Sequence, residues 1–375
     1  MGEAGDEQAA GASLSPSTLG LFLIGLVLML GGAELLVRGA SRLAGAFGIS
    51  PLVIGLTVVA WGTGSPELAV GLKAALAGSP ALTIGNVVGS NIANILLILG
   101  VAALLVPLTV AQRLIQLHIP LMIGVSVLTL LVSLDGRIST FEGLIFVSLL
   151  VGYTAWTIHE SRRTRRATIE KQARELGEEA GPDAPGWGLL VAHGAMIPGG
   201  LFLLIKGSDL LVESASALAR AFGLSDLLIG LTIVAIGTSL PELATSAIAA
   251  AKGERDIAVG NAIGSNIFNL LAVLGITAIV APGGIEVPAA ALIFDIPIMI
   301  AVAIACLPVF FAGYIIDRRN GALFLALYAV YIAYLVLEGT QHWALGGFTA
   351  VVLMFMLPLV VFTMVLLAYQ GWRKR

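Results

Sequence analysis

Charge is scarce in this chain. Of 375 residues only 11% are Asp, Glu, Lys or Arg, against roughly 25% in soluble domains. That shortage excludes an ordinary water-soluble globule. Cysteine is nearly absent: Cys306 stands alone, so no intramolecular disulfide can form and the redox compartment is left open. No sequence resembling a nucleotide-binding loop is found, which argues against an ATP-driven pump, and neither a nucleotide nor a nucleic acid is an expected partner. The start "MGEAGDEQ" is acidic and precedes an apolar run long enough to stay in the membrane, so no signal peptide is expected.

Apolar residues are abundant, at 58%. They fall into runs of about 20 residues, the length a helix needs to cross a hydrocarbon core of roughly 30 Å. The expected fold is an all-α polytopic membrane protein embedded in lipid. Eleven spans begin near Leu19, Leu52, Thr83, Leu114, Phe141, Trp187, Leu227, Ala258, Ala290, Ala322 and Leu345. One long polar connection, from His159 to Trp187, divides the chain. Residues 1–158 make a first repeat of five helices and 159–186 a linker. Residues 187–340 make a second repeat, and 341–375 an additional helix with a basic tail. The mixed charges of the linker read as a solvated segment with at most one helical stretch and no regulatory module.

Arg162, Arg163, Arg165 and Arg166 follow span five directly, and basic residues near span ends stay in the cytoplasm. Counting crossings from there places the N-terminus outside and the linker, "DRRNG" (Asp317 to Gly321) and the terminal "WRKR" inside. The expected location is the plasma (inner) membrane.

Gly32 to Gly100 aligns without a gap on Gly207 to Gly275. "GLTVVAWGTGSPELA" matches "GLTIVAIGTSLPELA", and "GNVVGSNIANILLILG" matches "GNAIGSNIFNLLAVLG". Polar positions are retained, which chance likeness between apolar helices would not do. An odd number of spans separates the copies, so the second enters the membrane upside down. An inverted 5+5 repeat suits a midplane site opened alternately to either side.

Within each copy sits a costly heptad, "GTGSPEL" from Gly62 and "GTSLPEL" from Gly237. Pro66 and Pro241 lack the amide proton for the carbonyls of Gly62 and Gly237, so the helix is expected to break at each. Freed carbonyls in mid-membrane are tolerable only where they line a cavity or bind something. Glu67 and Glu242 follow the breaks, and an unpaired charge at a helix centre costs on the order of 2.5 kcal/mol or more. No spanning Lys or Arg is placed to pair with them. With the hydroxyls of Thr63 and Thr238 they make an all-oxygen metal site suited to calcium, and two carboxylates neutralise one calcium or two sodium ions.

Asn86, Ser90 and Asn94 recur at a spacing that shares one helix face, as do Asn261, Ser265 and Asn269. Gly85 with Gly89, and Gly260 with Gly264, have the spacing that lets membrane helices approach closely. Glu34 with Arg38 reads as a local helix pair, with Asp209 as the repeat equivalent of Glu34. His118 and Asp295 are also symmetry-related, and Asp295 reads as capping or interhelical structure, with contact to an ion path as the alternative.

At these residues the chain resembles the calcium/cation antiporters, which include the sodium/calcium exchangers, over spans one to ten. The resemblance implies that Thr63, Glu67, Ser90 and Asn94, with Thr238, Glu242, Ser265 and Asn269, coordinate calcium in competition with sodium. It also implies that the carbonyls of Ala60 and Ala235 contact sodium. Relatives often read GTS where this chain has Gly62, Thr63 and Gly64, so the hydroxyl that Ser239 supplies in the second repeat is missing from the first, which bears on stoichiometry. Asn269 stands where some exchangers carry aspartate, and span eleven has no counterpart in the ten-span core.

The expected function is therefore secondary antiport of calcium against sodium by alternating access, without a cofactor and without catalytic residues. Proton/calcium antiport is the alternative: proton-coupled relatives usually lack the GT and PEL pattern found here, which favours sodium, whereas the asparagines at 94 and 269 soften that preference. A cation channel is the alternative of a different class, although channels more often assemble around an axis between identical chains.

Overall fold

The structure, a computed structural model, describes residues 16–78, 81–176, 187–221, 235–311 and 313–352, together with 354 and 365. It is helical, as the apolar runs require. The first repeat comprises α1 (Pro16–Phe47), the bent pair α2 (Pro51–Thr63) and α3 (Ser65–Leu76), α4 (Leu82–Leu105), α5 (Leu114–Val132) and α6 (Thr140–Leu176). The second comprises α7 (Trp187–Ala221), α8 (Ala235–Gly237), α9 (Leu240–Ala251), α10 (Arg255–Val280), α11 (Ala291–Phe310) and α12 (Arg318–Gly339). A further helix, α13 (Leu345–Val351), begins the expected eleventh span. Among the described residues, 8 helices are long and apolar enough to cross a bilayer, or up to 9 if α2 and α3 count as one bent span. The seventh span, expected from Leu227, begins outside the described residues and enters them as α8 and α9. Where the sequence suggested a span ending near residue 158, α6 runs on to Leu176, because the linker's Arg, Ala, Glu, Lys and Gln are good helix formers.

Two small antiparallel ladders report the inversion. β1 (Leu108–Thr109), between α4 and α5, pairs with β4 (Ile315–Ile316), between α11 and α12. β2 (Arg137–Ile138), between α5 and α6, pairs with β3 (Ile285–Glu286), between α10 and α11. Each ladder therefore joins a loop of one repeat to the oppositely oriented loop of the other, which requires the repeats to be upside down relative to one another.

The core sits where α4 and α10 cross. These windows are 78% and 83% buried, while those of the other long helices are 39% or less. Around them the outer surface is apolar, with Leu19, Val27, Phe141, Val151 and Ile293 exposed as lipid-facing side chains must be. α1 and α7 lie against each other on glycine faces. A Cβ at Gly32 would stand 2.6 Å from the backbone nitrogen of Leu204, and one at Gly207 would stand 2.5 Å from that of Met29. Only glycine permits that approach.

Among the described residues, π-helix winds Gly55–Val59, Asn94–Ile98, Leu114–His118, Asn269–Val273 and Ala291–Asp295. The second and fourth are repeat equivalents, as are the third and fifth. Such insertions gather at functional sites, and here two of them open on Asn94 and Asn269.

Candidate cation-binding site

Both heptads break the helix just ahead of the proline rather than at it. Gly64 (φ −78°, ψ 1°) closes α2 and opens α3 with a bend of 42°, and Ser239 (φ −89°, ψ 3°) holds the same place between α8 and α9. Pro66 and Pro241 fall in the first turn of the helix that follows, where a missing N–H removes no helical bond. Gly62 and Gly237 serve close packing rather than looseness. Added Cβ atoms there would lie 2.6 Å from side-chain carbons of Leu201 and Val212, both on α7.

This geometry sets Glu67 and Glu242 in the first turns of α3 and α9, each only 1% exposed. A helix N-terminus favours negative charge. No lysine or arginine pairs with either among the described residues. The hydroxyls of Ser90 and Ser239 lie 3.5 and 3.4 Å from Glu67 Oε1 and 3.1 Å from each other. Thr63 Oγ1 lies 3.2 Å from both the Val59 carbonyl oxygen and Asn261 Oδ1, and Thr238 donates to Asn86 Oδ1 (3.3 Å), so each threonine meets an asparagine of the opposite repeat. The Ala60 carbonyl accepts from the Gly64 N–H at 3.0 Å and keeps one lone pair; Ala235 opens α8.

Several buried oxygens have no hydrogen-bond partner among the described residues: Glu67 Oε2, both Glu242 carboxylate oxygens, Ser265 Oγ, Asn94 Oδ1 and Asn269 Oδ1. Leaving an acceptor bare in the interior costs about 1–3 kcal/mol. Such a set of lone pairs can receive a cation, and oxygen-only ligation suits calcium. Glycines Gly260 and Gly264 bring α10 against α2, since Cβ atoms there would lie 2.8 Å from the Leu52 carbonyl and 2.7 Å from Leu56 Cα. The segment equivalent to α2 that would face Gly85 and Gly89 lies outside the described residues.

Two residues that spacing did not single out are central. Asn91 and Asn266, fully buried, accept from Asn269 Nδ2 (3.2 Å) and Asn94 Nδ2 (2.9 Å). Their only signal in the sequence is that "GSN" occurs in both repeats. Among the described residues neither His118 nor Asp295 joins this network; His118 Nδ1 meets the Tyr153 hydroxyl at 2.9 Å, an interhelical contact.

Residues 17–159 and 193–337 match the family described as sodium/calcium exchanger protein. The inner membrane protein YrbG of Escherichia coli (strain K12) is 41% identical over 287 residues, which is 76% of this chain and 87% of that one. The chain belongs to the sodium/calcium exchanger family. The sodium/calcium exchanger MaX1 of Methanosarcina acetivorans is 32% identical over 349 residues, 84% of this chain and 97% of that one. Among solved structures, the sodium-calcium exchanger NCX_Mj soaked with 10 mM Na+ and zero Ca2+ superposes with a TM-score of 0.72 at 30% identity, over 84% of this chain and 98% of that one. The protein is thus a polytopic cation antiporter, and the channel alternative falls away.

In this exchanger a cleft of about 290 Å³ reaches the helix breaks, lined by Pro66, Asp209, Glu213, Thr238 and Pro241 among others. The other end of α1 is tied down. Glu34 pairs with Arg38, as expected, and also with Lys252 of the turn after α9, while Ser41 Oγ donates to Glu254 Oε1 at 2.6 Å.

Proposed function

We propose that this exchanger carries calcium against sodium by alternating access to one site shared by Glu67 and Glu242. The observation that carries the reading is the meeting of two buried carboxylates from inverted repeats with three of their four oxygens unpartnered. Calcium is held by the two glutamates, with Thr63, Thr238, Ser90, Ser265, Asn94 and Asn269 completing the oxygen shell. Sodium ions entering the same oxygens, with the hydroxyl of Ser239 and the carbonyls of Ala60 and Ala235, displace it. Charge balance is kept because two carboxylates match one calcium or two sodium ions.

α1 and α7, joined to one another through glycine, are the pair that moves against the rest. The cleft beside Asp209 and Glu213 is one entrance. The ties of Glu34 and Ser41 to Lys252 and Glu254 hold the other closed in this state. In the orientation that the arginines after span five favour, the N-terminus is outside, the linker and C-terminus are cytoplasmic, and the cleft faces outward. The two ladders support the alternation of the spans that this count assumes, since they group the connecting loops into two sets.

Calcium flux in proteoliposomes tests the coupling, with an imposed sodium gradient, then a pH gradient, then neither. Flux driven by sodium alone is the expected result. Flux driven by the pH gradient alone would replace sodium with protons, a reading favoured by the absence of a third carboxylate and of a hydroxyl at Gly64.

A further inference from the structure

Four asparagine side chains, two from each repeat, meet where α4 crosses α10. Asn94 donates its amide to Asn266 Oδ1, and Asn269 donates its amide to Asn91 Oδ1. The inner two are themselves fixed. Asn91 Nδ2 donates to the Asn266 carbonyl (3.3 Å) and faces Met299 Sδ (3.6 Å), while Asn266 Nδ2 faces Met122 Sδ (3.4 Å). With their amide groups turned to these partners, Asn91 and Asn266 can offer only oxygen to Asn269 and Asn94. The outcome is that, of these four side chains, the amide atoms left bare among the described residues are Oδ1 of Asn94 and Oδ1 of Asn269.

An asparagine side chain is ambiguous: a half-turn about its last bond exchanges an acceptor for a donor pair at nearly the same place. Presented to a cation, the first is a ligand and the second is repelled. We propose that Asn91 and Asn266 are positioning residues that remove this ambiguity, each locking the asparagine of the opposite repeat so that it presents oxygen to the transported ion. The lock crosses between repeats in both directions, so each half of the molecule sets the ligand of the other. It rests on the reading of Asn94 and Asn269 as ligands and explains how an amide serves where some relatives use a carboxylate, which needs no such lock.

A double-mutant cycle in proteoliposomes tests this, reading the calcium concentration for half-maximal exchange and the maximal rate. Asn91→Leu should raise the half-saturating calcium about tenfold or more, the usual cost of losing a residue that orients a metal ligand. In an Asn269→Leu background it should add little, whereas in an Asn94→Leu background its effect should be nearly complete. Asn266→Leu should show the reverse pattern, and Asn91→Ser, which leaves room for water, reads the first arm if Leu prevents assembly. A purely structural role would lower the maximal rate or the yield alike in every background. Equal effects of Asn91 substitution in the Asn269→Leu and Asn94→Leu backgrounds would overturn the proposal. Glu67→Gln in the same preparation separates the two levels of inference. If it transports normally, the site itself is misassigned and the lock falls with it; if it is dead and the cycle is additive, only the lock falls.

Discussion

At the scale of single residues, the two glutamates differ in how they are held. Glu67 Oε1 lies within 3.5 Å of the hydroxyls of Ser90 and Ser239, while the hydroxyls that face Glu242, those of Thr63 and Ser265, close no hydrogen bond on it. Either carboxylate is needed to neutralise a divalent ion, so Glu67→Gln and Glu242→Gln should each lower calcium exchange to background while the protein still inserts and purifies. Parental flux in either variant would show that the ion binds elsewhere. Protons compete for the same lone pairs, and a protonated carboxyl no longer binds a cation. Exchange under a fixed sodium gradient should therefore fall as pH drops from about 8 to about 5.5, and a flat profile would remove the carboxylates from the ion path. The glutamates, threonines, serines and outer asparagines were legible in the sequence because an intramembrane charge has few uses and these recur at repeat-equivalent positions. Asn91 and Asn266 were not. A spacing of four picks out Asn86, Ser90 and Asn94, and the neighbour of Ser90 then reads as ordinary interhelical glue until its partners are seen.

At the scale of elements, the broken helices owe their geometry to two kinds of residue whose roles the sequence suggested in the wrong order. Proline was expected to break the helix, yet the break is at Gly64 and Ser239, and proline starts the next segment. The π-helical turns were not legible at all, because one extra residue in a helical turn leaves no mark in a continuous apolar run. Close packing of α1 on α7 has a clearer signature, glycines at Gly25, Gly32, Gly200 and Gly207 whose added Cβ atoms would strike backbone of the facing helix. Gly207→Ala would place its Cβ 2.5 Å from Met29 N and 2.7 Å from the Gly25 carbonyl oxygen, forcing the helices apart. Overpacking of this kind costs about 1–3 kcal/mol. Gly31 has nothing within 4 Å of its added Cβ, and there alanine should gain roughly 0.5–1 kcal/mol of helix propensity. Thermal unfolding in detergent should show Gly207→Ala below the parent and Gly31→Ala level with it or above. Equal midpoints would mean that the two helices are not packed this closely in the membrane.

Taken as a whole, the molecule is a duplicated half whose symmetry reaches the helix breaks, the π-helical turns and the crossed asparagines. Inversion was readable from an odd number of spans between copies, and the two ladders report it in the structure. The symmetry fails at one place beside the proposed ligands. Ser239 lies beside Glu67, but its equivalent Gly64 offers Glu242 nothing, and the repeat partners differ as well, Phe268 of α10 standing where α4 has Ala93. These two differences are one. A Cβ on Gly64 would meet the Phe268 ring at 2.8 and 3.1 Å, and that ring is 5.8 Å from the ring of Trp61, so aromatic packing occupies the space that a serine would use. Gly64→Ser alone should therefore impair folding or exchange, because the new side chain must displace a packed ring. Gly64→Ser combined with Phe268→Ala should recover activity and give Glu242 a hydroxyl, as Ser239 does for Glu67. Sodium carries one charge and depends on the number of oxygens around it, whereas calcium draws mainly on the carboxylates. The double variant should then need less sodium for half-maximal exchange, by about fivefold for a gain of roughly 1 kcal/mol, with little change for calcium. Both dependences measured in one preparation decide the matter. A folded, active double variant with the parental sodium dependence would put position 64 outside the sodium path and strengthen the case for protons as the coupling ion.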